Sequence, residues 1–172
     1  MTKTLARVVL GAAMALSTTL TLAAPAQAAT YRQIKAVKDG TCVRAGSSAT
    51  DLRARSCAVT PTTARDWQVI LISSNFNGHA VWQLRNRSTG KCLSRAGTTG
   101  MGTLSSQTCL VGNNNTYWEV FYITSTVMVL KSFGAFVLGH VHACLHYQGS
   151  DHAKNVDLLT CNTGQTLQRW QR

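Results

Sequence analysis

The residues of this chain with the most chemistry to offer are six cysteines, and they fall into three similar intervals: Cys42 and Cys57, Cys92 and Cys109, Cys144 and Cys161. In an exported chain such thiols oxidise to disulfides and are lost as nucleophiles or metal ligands, although the count alone leaves the pairing open. The 6 acids, Asp39, Asp51, Asp66, Glu119, Asp151 and Asp157, are scattered along the sequence. Glycoside hydrolysis needs two carboxyl groups across one cleft, and only Asp151 and Asp157 are near neighbours. Serine-nucleophile motifs and a glycine-rich phosphate loop behind a strand are missing. His140 and His142 would share a face of a strand, with His146 following, but the spacing fits no zinc pattern and no free cysteine is expected to assist. The expectation is a protein that is not an enzyme and holds neither metal nor cofactor.

Positive charge is better supplied. Lys plus Arg number 17, the formal net charge is +11, and yet charged residues make up only 13% of the chain. Arg53 with Arg55, and Arg85 with Arg87, stand two apart, so on strands each pair presents both guanidinium groups on one face. Such forks suit carboxylate, sulfate or phosphate groups. An anionic wall polymer, an acidic glycan or an acidic partner protein would fit; a net charge kept away from zero for solubility explains the composition equally well. Nucleic acid is not an expected partner, because an exported chain seldom meets it and no recognition motif is present.

Export itself is read from residues 1–28. Lys3 and Arg7 form a positive start, Val8 to Leu22 an apolar stretch, and Ala26-Gln27-Ala28 a small-x-small cleavage site, the marks of a signal peptide. The stretch is shorter than the roughly 20 residues that cross a bilayer. The later apolar run from Val127 to Val141 is interrupted by Lys131 and His140, so no membrane span is expected and the mature chain is secreted and extracellular. Residues 29–172, drawn from a sequence with 45% apolar residues, four Trp, four Tyr and four Phe, suit one domain with a real core.

The elements that position these groups are announced by a repeat. The three cysteine pairs recur about 52 residues apart, a period that marks a repeat architecture. Trp67, Trp118 and Trp170 follow in step as expected core residues, Val43, Leu93 and Leu145 stand one after each first cysteine, and Leu52, Leu104 and Val156 five before each second cysteine. Ile34, Leu84 and Phe136, eight before the first cysteine, complete the columns. The units approximate to residues 29–72, 73–124 and 125–172.

Each unit reads as short strands and turns. Val81-Trp82-Gln83-Leu84-Arg85-Asn86-Arg87 alternates across a pleat, and Ser88-Thr89-Gly90 turns into Lys91-Cys92-Leu93. Asp39-Gly40 is the same turn in the first unit, whereas the third has Val141-His142-Ala143 and loses the glycine, so that turn must be built differently. Three all-β units that cannot bury a face alone share one core when packed about a pseudo-threefold axis. The expected fold is therefore all-β, a β-trefoil of three repeats, with one internal disulfide each: Cys42–Cys57, Cys92–Cys109 and Cys144–Cys161.

Gly40-Thr41-Cys42-Val43, Gly90-Lys91-Cys92-Leu93 and Ala143-Cys144-Leu145, each followed by an apolar residue, a cysteine and a tryptophan, resemble the ricin B-type lectin family, whose units end in Gln-x-Trp. Gln168-Arg169-Trp170 matches in full; Arg65-Asp66-Trp67 and Thr116-Tyr117-Trp118 keep the tryptophan. The leader, rich in Ala, Leu and Thr, is similar to those of secreted actinobacterial members. The resemblance implies a sugar pocket in a unit, made by an aspartate two after the first cysteine, an aromatic ring two before the second, and an asparagine three before the tryptophan. Arg44, Ser94 and His146 stand at the aspartate position, Arg55, Gln107 and Leu159 at the aromatic one, and Ala64, Asn115 and Leu167 at the asparagine one. No unit keeps the set.

Carbohydrate-binding candidates therefore come from what remains. The second unit offers Ser94, Arg95, Asn115 and Tyr117; the third offers His146, Tyr147, Gln148, Asp151, His152, Asn155 and Asp157, with Gln168 beside its tryptophan. Hydroxyl-rich ligands want several fixed donors and acceptors with a ring nearby. Asp151 and Asn155 also suit plain turns, and Gln168 also suits backbone satisfaction beside Trp170. The implied function is a secreted lectin-like module for a glycan or cell-surface polysaccharide. The alternatives are a protein-binding subunit of a toxin or inhibitor assembly, and an arginine-mediated binder of anionic polymer.

Overall fold

The computed structural model describes residues 29–58, 60, 62–98, 100–149 and 155–172. The leader, residues 1–28, and the candidates Asp151 and His152 lie outside the described residues.

Alternation of apolar and polar side chains makes each unit a set of strands. The first holds β1 (Tyr31–Gln33), β2 (Lys35–Ala36), β3 (Cys42–Ala45), β4 (Leu52–Arg55) and β5 (Asp66–Phe76). The second holds β6 (His79–Asn86), β7 (Cys92–Ala96), β8 (Thr103–Gln107) and β9 (Tyr117–Tyr122). The third holds β10 (Val127–Ser132), the short helix α1 (Phe133–Gly139), β11 (Ala143–Tyr147), β12 (Val156–Thr160) and β13 (Trp170–Gln171).

Antiparallel neighbours run β1-β5-β6-β9-β10-β13-β2, and because β1 and β2 are adjoining pieces of one stretch the ring closes into a barrel without open edges. The hairpins β3/β4, β7/β8 and β11/β12 hang from it through equivalent pairs, Lys35 with Cys42, Arg85 with Cys92 and Lys131 with Cys144. This is the β-trefoil, and its three disulfides are Cys42–Cys57, Cys92–Cys109 and Cys144–Cys161, one in each unit.

The repeated columns become the core. Val43, Leu93 and Leu145 are wholly buried, Leu52, Leu104 and Val156 nearly so, and all three tryptophans are removed from solvent. Each buried indole keeps its N–H satisfied by the same partner: Nε1 of Trp67, Trp118 and Trp170 donates to the carbonyl of Val43, Leu93 and Leu145 at 2.9, 2.9 and 3.0 Å.

One column needs correction. Phe136 is only half-buried on α1, and the pairing places Leu130, fully buried in β10, as the counterpart of Ile34 and Leu84. Seven residues separate Arg85 from Cys92 but thirteen separate Lys131 from Cys144. The helix supplies the excess, and a β9–β10 ribbon with shorter strands than the β5–β6 ribbon compensates, which leaves the cysteine period nearly unchanged.

The turn of the third unit is accordingly rebuilt. Gly40 and Gly90 take φ of 71° and 67° in the first two units, and the left-handed position in the third is held by His140, at φ 51°, as the C-cap of α1. Gly40, Gly90 and His140 each donate their N–H four residues back, to Ala36, Asn86 and Phe136, at 2.9, 2.9 and 3.0 Å.

Candidate functional site

In each hairpin the core-facing residues alternate with a face turned outward, and the position where the lectin resemblance expects aspartate pairs directly across the hairpin. Arg44 faces Arg53, Ser94 faces Ser105 and His146 faces Asp157. The three units have thus diverged at one place, and each arrangement has its own chemistry.

The second unit is built shut. Ser94 and Ser105 are buried with their Oγ atoms 2.8 Å apart. Asn115 Oδ1 accepts from Nη1 of the buried Arg95 at 3.0 Å, and the same guanidinium donates to the carbonyls of Gly97, Gly100 and Met101. α1 lies against this group, so close that a Cβ on Gly134 would stand 2.4 Å from Asn115 Oδ1 and one on Gly139 3.0 Å from the N of Gly100. Tyr117 is buried too, its hydroxyl accepting from the N–H of Gly112 at 2.7 Å.

The third unit is open. The Asp157 carboxylate is held at both oxygens, Oδ1 at 2.9 Å from His146 Nδ1 and Oδ2 at 2.6 Å from the Gln148 amide, while its side chain stays 36% exposed. Each carboxylate oxygen has a second lone pair, so the anchored group still has acceptor sites for a ligand. Asp157, Gln148 and Asn155 line a groove of about 440 Å³ where the three hairpins meet; Thr50, Arg53 and Thr103 add polar groups from the other two. Leu52, Leu104, Val156 and Leu158 give this groove apolar lining. Arg53 is turned toward Asp51, Nε to Oδ1 2.9 Å.

Two residues expected at this site face elsewhere. Tyr147 follows His146 along β11, so its side chain points to the core, and its buried hydroxyl donates to Asp39 Oδ2 of the first unit at 2.7 Å. Gln168 is wholly buried; its Nε2 donates to the Thr160 carbonyl at 2.8 Å and its Oε1 accepts from Asn162 N–H at 2.7 Å. Among the expected residues, then, the structure brings His146 and Asn155 near one open groove with Gln148 and Asp157, and takes Ser94, Tyr147 and Gln168 out of reach of solvent.

The first unit is different again: Arg44, Arg55 and Arg65 line one pocket of about 230 Å³ with Ser56 and Thr60. Sequence reading had placed Arg44 and Arg55 at the family's site positions without joining them to Arg65, which stands at the glutamine position of the third unit's motif. The usable signal was that one unit carries arginine at all three places.

Comparison with known proteins agrees with this architecture. The sequence model described as ricin-type beta-trefoil lectin domain-like matches residues 21–103. No curated protein sequence matches the chain. Among solved structures, a ricin B-like lectin of Macrolepiota procera in complex with lactose is 16% identical, with TM-score 0.60 over 86% of this chain and 97% of that one. The cytolethal distending toxin of Haemophilus ducreyi is 17% identical, TM-score 0.62, over 82% and 81%. A designed threefold-symmetric protein, ThreeFoil, is 14% identical, TM-score 0.64, over 82% and 96%. These findings bear out the resemblance to ricin B-type lectins, and the fold of the described residues is the β-trefoil. Among those residues no helix is long and apolar enough to cross a membrane.

Proposed function

We propose that this protein is a secreted, non-catalytic carbohydrate-binding module whose sugar site lies on the third hairpin around Asp157. The observation that carries the reading is the carboxylate clamped by His146 and Gln148 at the edge of a polar groove. The resemblance calls for a carboxylate on the first strand of the hairpin; here histidine occupies that place and the carboxylate stands on the second strand, directly opposite. A fixed acceptor with an amide beside it can bridge neighbouring hydroxyls, with Asn155 adding a further polar group and the leucines apolar contact. The proposal includes the leader over residues 1–28 and the mature domain over 29–172.

Titration of the oxidised mature protein against a panel of neutral saccharides, at low and at near-molar salt, tests it. The expected result is saturable binding that survives salt, weakened at least about tenfold in Asp157→Asn, as loss of a charged hydrogen-bonding group implies, with melting little changed because the side chain is partly exposed. No saccharide binding, or binding indifferent to Asp157→Asn, overturns it.

A further inference from the structure

We infer that the first hairpin carries a second, separate site, which takes an oxyanion, the sulfate or carboxylate group of an acidic glycan. Arg44 on β3, Arg55 on β4 and Arg65 in the 3-10 turn Thr62–Arg65 converge on one pocket of about 230 Å³, and hydroxyl-bearing Ser56 and Thr60 complete its lining. No acid lines it. The acids nearest in sequence are engaged elsewhere, Asp39 with the Tyr147 hydroxyl at 2.7 Å, Asp51 with Arg53 at 2.9 Å and Asp66 with Arg87 at 3.3 Å.

Arg44 and Arg55 are partly exposed and Arg65 is buried. Planar guanidinium forks match carboxylate and sulfate oxygens two at a time, and Arg44 and Arg55 are the two that solvent reaches. Three like charges drawn to one place also repel, so an anion that binds there stabilises the fold by mass action. The His146 position of the third unit is thus taken by Arg44 in the first, whereas Asp157 corresponds to Arg53, which lies outside this pocket. Only the identity of the carrier, a glycan, rests on the carbohydrate reading; the anion site stands on the arginines.

Melting of the oxidised protein in sodium sulfate, against sodium chloride at equal ionic strength, reads the site directly. Sulfate is expected to raise the melting temperature saturably, with the rise lost in Arg44→Gln and Arg55→Gln and kept in Lys91→Gln, an exposed cation of the second unit. An equal rise in chloride, a response unchanged in both arginine variants, or the same loss in Lys91→Gln overturns the proposal. For the carrier, a sulfated disaccharide is expected to bind at least about tenfold tighter than its desulfated parent, the difference vanishing in Arg44→Gln; equal affinities overturn it. Asp157→Asn separates the two sites. If the third-hairpin reading fails, neutral-sugar binding is absent while the sulfate response persists, and if this one fails the reverse holds.

Discussion

Gln168 shows what one side chain of the repeated motif does. Its amide closes two backbone bonds, to the carbonyl of Thr160 and the N–H of Asn162, at the point where the chain leaves β12 and turns toward Trp170. Truncation removes both bonds, each worth about 0.5–1.5 kcal/mol, together with the packing of a wholly buried side chain. Gln168→Ala is therefore expected to lower the unfolding midpoint clearly while sugar affinity, measured where the variant is still folded, stays put; unchanged melting with lost binding would reverse that assignment. The other units fill this position differently, with Thr116, which accepts from the Gln83 amide at 2.7 Å and donates to the Asn113 carbonyl at 2.8 Å, and with a buried Arg65 in the first. At this scale the sequence disclosed the groups whose partners are local or repeated, such as the tryptophans. It hid Tyr147, because the acceptor of its hydroxyl, Asp39, lies 108 residues away in another unit, and no spacing rule reaches that far.

α1 is the element that breaks the threefold pattern, and it packs against Asn115 of the second unit. Ser132 caps it, its Oγ accepting from Ala135 N–H at 3.2 Å, and His140 ends it in the left-handed conformation. The helix packs on Asn115 through Gly134, where a Cβ would stand 2.4 Å from Oδ1, 2.8 Å from Cα of Asn115 and 3.0 Å from the Asn114 carbonyl. Two of those atoms are backbone, which cannot move aside cheaply. Gly134→Ala is expected to destabilise the protein by about 1–3 kcal/mol and to speed amide exchange across 114–116 and 133–139 while leaving β11 and β12 protected; uniform exchange, or none, would mean the contact is slack. The helix was not legible because its seven residues carry too little periodicity, and because the shorter β9–β10 ribbon restored the cysteine spacing that made the repeat visible. Its consequence for function was equally hidden: Asn115 keeps the family's residue type, yet Arg95 and α1 cover it.

Across the whole molecule the three units are held by a shared core and by disulfides that never leave their own unit. Cys42–Cys57, Cys92–Cys109 and Cys144–Cys161 close loops of 15, 17 and 17 residues. Loops of this length contribute about 3 kcal/mol each by restricting the unfolded chain, against a total stability of about 5–15 kcal/mol for a typical domain. Because the loops are nearly equal and lie in different units, replacing any one pair by alanine should cost a similar amount, and the costs should add. Functions should separate where stabilities do not. The paired substitution at Cys144 and Cys161 loosens the hairpin that carries His146 and Asp157, so it is expected to weaken neutral-sugar binding, whereas the pair at Cys42 and Cys57 should weaken only the response to sulfate. Denaturant midpoints of the three double variants, with both titrations on each, check this together. Equal losses of both binding activities in all three would mean that the hairpins act as one cooperative body, and the assignment of separate ligands to the first and third hairpins would fall.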